Sequence, residues 1–296
     1  MKKIFIIITM LTIIYSVFGS TDGKYGMKML QIPVGAATSS QGRVGAFSHN
    51  TDAFTFLESP TSSLLNRKTQ ISSAYSLWIF ETNLTSLSYV KHKGKSAFGL
   101  AFRMLDYGKI NRRDEVGNEI LGEFHPLDLT FTTNFAYRLS VNHYLAMNGT
   151  ILYEKIDNAS SYGFAGDIGY TYLPPIANLK INANIKNLGS TSKMDAEKIK
   201  LPIALELSGI YDLNQLSTEI KIMKLQDTEE IRAVLGSSFL IYEIFTIRAG
   251  YKLNYDAENF STGFGINYHN FQLDFAYIPF TNSIDDCQTI GLTYNF

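Results

Sequence analysis

Thr289-Ile290-Gly291-Leu292-Thr293-Tyr294-Asn295-Phe296 ends the chain, and in it apolar residues alternate strictly with small or polar ones. A period of two puts Ile290, Leu292, Tyr294 and Phe296 on one face of a strand and Thr289, Gly291, Thr293 and Asn295 on the other. On a soluble sandwich, an exposed apolar edge of this kind invites pairing with other chains. A membrane barrel instead turns the apolar face to lipid and the polar face to its lumen, and closes by pairing its last strand with its first. The stretch therefore predicts a closing barrel strand, with Ile290, Leu292, Tyr294 and Phe296 acting as the signal for assembly into the membrane.

The same alternation runs upstream. Phe271, Leu273, Phe275 and Tyr277 alternate with Gln272, Asp274 and Ala276, and Phe264, Ile266 and Tyr268 alternate with Gly263, Gly265 and Asn267. Between Lys68 and Phe296 about fourteen strand-length segments can be parsed in this way. The predicted fold is all-β, a transmembrane antiparallel β-barrel over residues 68–296. Connection lengths give an independent test, because such barrels have short turns at one end and longer loops at the other. Connections after even-numbered segments are tight, as at Lys93-Gly94, Asn214 and His269-Asn270, whereas the two longest, Gly108 to Pro126 and Gly189 to Lys200, follow odd-numbered ones. With the N-terminus taken as periplasmic, the long loops face outward. At the opposite end Tyr137, Tyr211, Phe239, Tyr268, Phe271, Tyr294 and Phe296 share the outward register and predict an interfacial aromatic belt.

Residues 1–19 have a signal-peptide layout, with Lys2 and Lys3 before an apolar run from Ile4 to Val17 and small residues suited to cleavage after Gly19. That run is short for a membrane-spanning helix, and no later stretch is long enough to be one, so any membrane crossing must use strands. Residues 20–67 are richer in Gly, Ser and Thr and lack long alternation. Phe47, Phe54, Phe56 and Leu57, interspersed among them, favour a plug folded into the lumen over a disordered tail. They are also the candidates for lining a pocket for an apolar ligand.

The remaining composition mainly excludes functions. With 26 Lys and Arg against 27 Asp and Glu, there is no electrostatic case for nucleic acid. The content of 20 Phe and 18 Tyr against one Trp suits a barrel wall with aromatic girdles. A lone cysteine, Cys287, allows no intrachain disulfide. The five histidines are scattered without ligand spacing, and no nucleophile, base and orienting residue can be assembled, so no metal, cofactor or catalysis is expected. Arg103, Asp128, Arg138, Asp167, Lys180, Lys186, Glu206, Glu219, Lys221, Arg232, Arg248, Lys252 and Asp274 fall in the inward register with mixed sign. They are expected to form a paired network filling the lumen rather than a selectivity ring. The expected partners are the lipid of the outer membrane and the machinery that inserts barrels into it.

Several short segments in order, among them Gly26-Met27-Lys28-Met29-Leu30-Gln31-Ile32-Pro33-Val34-Gly35-Ala36, Tyr107-Gly108-Lys109-Ile110, Gly166-Asp167-Ile168-Gly169-Tyr170 and Ile247-Arg248-Ala249-Gly250-Tyr251, carry a resemblance over nearly the whole mature chain. The chain resembles the PorV/PorQ group of bacterial outer-membrane proteins, itself similar to FadL-type transporters of hydrophobic compounds. It departs from the group at Glu58-Ser59-Pro60-Thr61-Ser62, where an Asn-Pro-Ala type turn is usual. The resemblance implies a part in type IX secretion, in cargo receipt or surface attachment, with secretion components and cargo proteins as partners. Passive uptake of hydrophobic small molecules is the alternative. Should proteins dock, the external loops offer Ile120, Leu121, Phe124 and Met194 as apolar contacts amid polar neighbours.

Overall fold

The structure, a computed structural model, describes residues 25–113, 119–194, 197–228, 230–281 and 284–296. The signal-peptide reading over residues 1–19 lies outside the described residues. Fourteen strands close into one antiparallel barrel. They are β1 (Gln70–Leu77), β2 (Asn83–Lys93), β3 (Ser96–Asp106), β4 (Leu127–Arg138), β5 (His143–Ile156), β6 (Ala159–Tyr172) and β7 (Leu179–Thr191), followed by β8 (Ala204–Leu213), β9 (Leu216–Leu225), β10 (Ile231–Ile241), β11 (Phe245–Leu253), β12 (Phe260–Tyr268), β13 (Phe271–Ile278) and β14 (Cys287–Asn295). Each pairs with its neighbours in sequence, and β14 pairs with β1 from Gln70↔Asn295 to Leu77↔Gln288. The Phe296 amide extends the seam by donating to the Thr69 carbonyl at 3.0 Å. No backbone edge is left open, which a hydrocarbon surround demands.

Alternation sets the two faces as expected. Ile290, Leu292 and Phe296 point outward and are exposed, as are Leu273, Phe271, Ile247, Leu235 and Phe135. Inward positions are small and polar, and hydroxyl pairs link strands across the lumen wall, as in Ser72–Thr293 and Ser76–Thr289, each at 2.8 Å, and Thr132–Thr150 at 2.9 Å. At the short-turn end Phe271 packs edge-on against Tyr294, and Tyr294 against Phe296, with ring centroids 5.1 and 5.0 Å apart. Left-handed backbone at Gly94 (φ 61°), Asn214 (φ 47°) and His269 (φ 53°) makes the tight reversals there.

The structure differs from the sequence reading at three connections. In sequence, residues 156–161 read as a connection between strands ending at Lys155 and starting at Tyr162, whereas β6 begins at Ala159, so β5 and β6 meet through the two residues Asp157 and Asn158, with Asp157 in the left-handed region at φ 51°. β7 runs on to Thr191, absorbing the first part of the expected Gly189–Lys200 loop. A bulge in the β6–β7 pairing near Gly166 and Ile168, with Asn187 at φ 61°, allows that extension. The other long connection, after β3, carries its own hairpin, Ile110–Arg113 paired with Ile120–Phe124. The Arg112 guanidinium ties this hairpin to the Asp157 carboxylate of the β5–β6 turn.

The N-terminal segment fills the lumen. From Met29 to Leu64 nearly every residue is buried, in four single-turn helices and the loops between them. Tyr25 bridges to Lys200 at the long-loop end, whereas β1 starts at the short-turn end, so the segment runs the length of the barrel inside it. Inward glycines on β10 and β11 make room. A Cβ on Gly236 would lie 2.1 Å from the Val44 side chain, and one on Gly250 2.3 Å from the Gln41 backbone. Inward side chains from the wall then satisfy plug backbone. Ser88 Oγ donates to Ala53 O (2.7 Å), Asn148 Nδ2 to Phe56 O (3.1 Å) and Arg248 to Asn50 O (2.7 Å), while Gly45 N donates to Glu219 Oε2 (2.7 Å).

Two outcomes check this architecture. Unheated protein should migrate faster than boiled protein on a denaturing gel. Deleting Phe296 should lower the yield of that fast-migrating form, because the residue closes the β14–β1 seam and holds the outer aromatic cluster, and an unchanged yield would remove it from assembly.

Candidate ligand cavity

At the long-loop end the plug stops short of the rim and leaves a cavity of about 590 Å³. Its plug-side lining is the turn Lys28–Gln31 and Ile32, which presents Met29, Leu30 and Ile32. The connections beside β1 and β3 supply Trp78, Phe80, Leu105 and Tyr107, and the tops of β8 and β9 add Ala204, Met223 and Leu225. Trp78 is fixed by an edge contact with Phe280 at 5.6 Å, and Tyr107 by donating its hydroxyl to Asp128 at 2.8 Å. Lys28 Nζ and Gln31 Nε2 both bind Asp227 Oδ2, at 2.5 and 2.9 Å, and so fasten the turn to the β9–β10 connection.

Charged groups close the bottom of the cavity, and they are the ones that hold the plug. Arg43, in the left-handed region at φ 73°, donates from Nε and Nη2 to Glu58 Oε2, both at 3.2 Å, and from Nη1 to the Gln31 carbonyl. Lys186 of β7 lies 3.8 Å from the same carboxylate oxygen and donates to Leu57 O at 2.7 Å. Burial by itself would raise the Glu58 carboxyl, and Arg43, Lys186 and Lys221 overcome it, holding Glu58 at about 2. Arg43 and Lys186 also line the cavity. Lower in the lumen Arg248 and Asp274 pair at 2.8 Å, both buried, beneath Asp52. Burial first and the Asp274 carboxylate second push Asp52 up to about 7. Of the lumen charges expected to pair, Lys180, Lys186, Glu206, Lys221, Arg248, Lys252 and Asp274 do so, with the plug carboxylate Glu58 among them, whereas Arg103 donates to Thr130, Asp128 accepts from Tyr107, Asp167 accepts from Asn148 and Asn187, and Arg232 stacks on Tyr255.

The residues singled out from sequence sit in three places. Phe54, Phe56 and Leu57 pack with Met29, Ile32, Leu84 and Leu105 in one buried cluster, and Phe47 packs with Ala46 and Ile210 in another. None of the four lines the cavity; they are the body of the plug beneath it. Ile120 and Leu121 are exposed on the hairpin with Phe124 half-buried, and Met194 is half-buried on a separate short strand pair, Lys193–Met194 with Glu197–Lys198. Ile290, Leu292, Tyr294 and Phe296 lie on the outer face. Among the described residues no group of three or more His, Cys, Asp or Glu is placed to hold a metal ion. Sequence reasoning gave no ligand role to Met29, Leu30, Ile32 or Trp78, although the spacing of the first three within Met27–Ile32 was the available signal. A second cavity, of about 540 Å³ at the short-turn end, is polar and lined by Asn50, Arg67, Lys68, His92, Glu243 and His269 among others.

No protein-family model and no curated protein matches the sequence. Solved structures do match in fold. The CymD monoaromatic hydrocarbon channel is 12% identical, with 92% of this chain and 99% of that one covered and a TM-score of 0.66. The Pseudomonas putida toluene transporter TodX is 11% identical over 95% and 99% of the two chains with a TM-score of 0.59, and a Pseudomonas aeruginosa FadL homologue is 11% identical over 90% and 99% with a TM-score of 0.58. The chain shares the fold of FadL-type barrels along its length.

The plug should respond to pH in two opposite ways. The Glu58 carboxyl is depressed, so its contribution is present above the ordinary carboxylate range near 4.5 and is lost as pH falls towards 2. Asp52 is raised, so its contribution is present in acid and is lost as pH rises through about 7. Glu58→Gln leaves Arg43 and Lys186 without their anion and should cost the plug about 3–5 kcal/mol, abolishing the acid limb. Asp52→Asn should flatten the limb near neutrality. Hydrogen exchange of amides 35–66 against pH reads both, and wild-type-like profiles in both variants would overturn the assignment.

Proposed function

We propose that the protein is an outer-membrane channel that admits small hydrophobic molecules. The observation that carries this reading is the cavity of about 590 Å³ at the long-loop end, walled by Met29, Leu30, Ile32, Leu105 and Met223 inside a closed barrel. Its size lies within the range of small-molecule sites, and its apolar side chains share the lining with the charged groups of Lys28, Arg43, Glu81, Lys109, Lys186, Glu206, Arg232 and Glu258. The outward band of Ile, Leu and Phe suits lipid, and the division into short turns and longer loops suits an outer-membrane orientation with the cavity facing outside. The FadL-type fold supports the reading, because proteins of that fold include hydrocarbon channels. Such a channel needs neither a catalytic group nor a cofactor.

The type IX secretion reading draws on a different observation, the exposed Ile120 and Leu121 of the external hairpin. The two readings separate by experiment. Ala204→Trp places an indole in the cavity and should reduce toluene uptake by cells expressing the barrel to the level of cells without it, with heat-modifiable mobility unchanged. Replacing residues 111–123 of the external hairpin with a tight turn, while keeping Ile110, which lines the cavity, should leave that uptake intact. Uptake that survives Ala204→Trp would sink the channel, and loss of surface-displayed secreted cargo in the hairpin variant would favour secretion.

A further inference from the structure

The short-turn rim of the barrel carries its charge in one place. The connections at residues 139–142, 173–178, 214–215, 242–244 and 269–270 hold a single charged side chain between them, Glu243. Around the β2–β3 turn, by contrast, Lys91, Lys93 and Lys95 follow one another at every second position. Arg67 and Lys68, just before β1, and Arg138, at the end of β4, flank them. No Asp or Glu occurs in residues 59–80, 82–105 or 129–153, so no side-chain carboxylate stands at the short-turn ends of β1 to β4. The chain terminus at Phe296 lies on the far side of β1, against Thr69. None of these six cations is in an ion pair among the described residues.

The pleat decides where two of them point. Lys91 and Lys93 are exposed and share the outward register with Leu87 and Tyr89, whereas Ser88 and Val90 between them are buried. Across the sheet Lys91 stands opposite Phe98, and Phe98 opposite Phe135; Lys93 stands opposite Ser96, and Ser96 opposite Tyr137. Phe98, Phe135 and Tyr137 are exposed on the same outer face. Alternate Cα atoms of a strand are ~7 Å apart and facing ones ~5 Å. Both ammonium groups can therefore close on one phosphate-sized anion, with aromatic rings directly alongside. Among the described residues no other outward position in the short-turn half of the wall carries Lys, Arg, Asp or Glu. A cation at the lipid interface lacks part of its water, and an anionic headgroup replaces what it lacks.

We propose that the outer face of β2–β4 at the short-turn end binds an anionic phospholipid, whose headgroup phosphate meets Lys91 and Lys93 and whose acyl chains lie over Leu87, Phe98, Phe102 and Phe135. Lys95, Arg67, Lys68 and Arg138 add positive potential at the rim above it. The site rests on the outer-membrane placement proposed above, in which this end meets the phospholipid leaflet, and it is independent of what the lumen carries. A lipid fits better than a soluble anion, because the two lysines stand on an apolar wall rather than in a cavity. A zwitterionic headgroup brings its own cation beside its phosphate and leaves the two positive charges uncompensated.

The full barrel, stripped of lipid in detergent, is offered equal amounts of phosphatidylglycerol and phosphatidylcholine, and the bound lipids are identified by native mass spectrometry. Phosphatidylglycerol is expected to be retained over phosphatidylcholine by roughly tenfold or more, the scale that two lysines at a membrane surface supply. Lys91→Gln combined with Lys93→Gln should bring the two lipids close to parity, and Lys91→Arg combined with Lys93→Arg should keep the preference. Lys155→Gln combined with Lys193→Gln removes the same charge at the long-loop end and should change nothing. Millimolar inorganic phosphate should not displace the lipid. Heat-modifiable mobility confirms that each variant is folded. A wild-type barrel without preference, a preference that survives Lys91→Gln with Lys93→Gln, an equal loss in the long-loop variant, or displacement by inorganic phosphate would each overturn the site while leaving the channel standing. Recovery of the expressed protein in a fraction free of membrane would overturn the placement itself, and the site with it.

Discussion

Hydrocarbon offers no hydrogen bonds, and most of this structure follows from that constraint. A backbone amide or carbonyl facing lipid without a partner costs several kcal/mol, so the sheet must close, and β14 pairs with β1 along the whole of β1. Closure fixes the pleat around the ring, and the pleat sorts every strand into an outward residue chosen for lipid and an inward residue chosen for what fills the barrel. The inward set of Ser, Thr, Asn, Gly and charges would leave a wet tube by itself. It becomes an interior because residues 26–67 enter it and bring backbone carbonyls and amides for those side chains to bind.

Filling a lumen with a plug exchanges one difficulty for another, since charges on both surfaces lose water. Glu58 resolves it at one point: a buried carboxylate on the plug meets Arg43 from the plug and Lys186 from the wall. A buried ionic cluster is weak as a source of net stability but costly to break. It therefore acts as a register pin, holding the plug at one height. It shares that task with the hydrogen bonds from the wall to the plug backbone, and the height they set together leaves the empty space above Arg43 and below the rim.

The barrel is legible in the sequence because each strand is solvated differently on its two faces, and a period of two records the difference directly. Phe271 to Tyr277 shows it without help from any neighbour. The departures occur where pairing overrode local signals. Asp157-Asn158-Ala159-Ser160-Ser161 has the composition of a loop, yet Ser160 and Ser161 pair with Lys155 and Glu154 because β5 continues beside them. Asn187 falls where Lys186-Asn187-Leu188-Gly189 reads as the end of a strand. Its left-handed backbone instead forms a bulge, stabilised by its amide donating to Asp167 at 2.8 Å and its side chain to Pro202 O at 2.9 Å. The plug's role was partly legible, since isolated Phe residues in a Ser- and Thr-rich segment require burial. The use of each was not. Phe54 and Phe56 supply bulk, whereas the cavity is lined by Met29 and Ile32, and only the path of the chain through the lumen distinguishes them.

Arg43 and Lys186 belong to two systems at once, the contacts that seat the plug and the lining of the cavity. Any molecule in the cavity therefore changes the surroundings of the cations on which Glu58 depends. An apolar occupant excludes water from them and strengthens their attraction to Glu58, because the effective dielectric falls. An occupant with an anionic group beside Arg43 competes for it and weakens the seat. On the proposed channel reading, a ligand in the cavity would be coupled to the seat of the plug through these two side chains, with a sign set by the charge it carries to the bottom of the cavity.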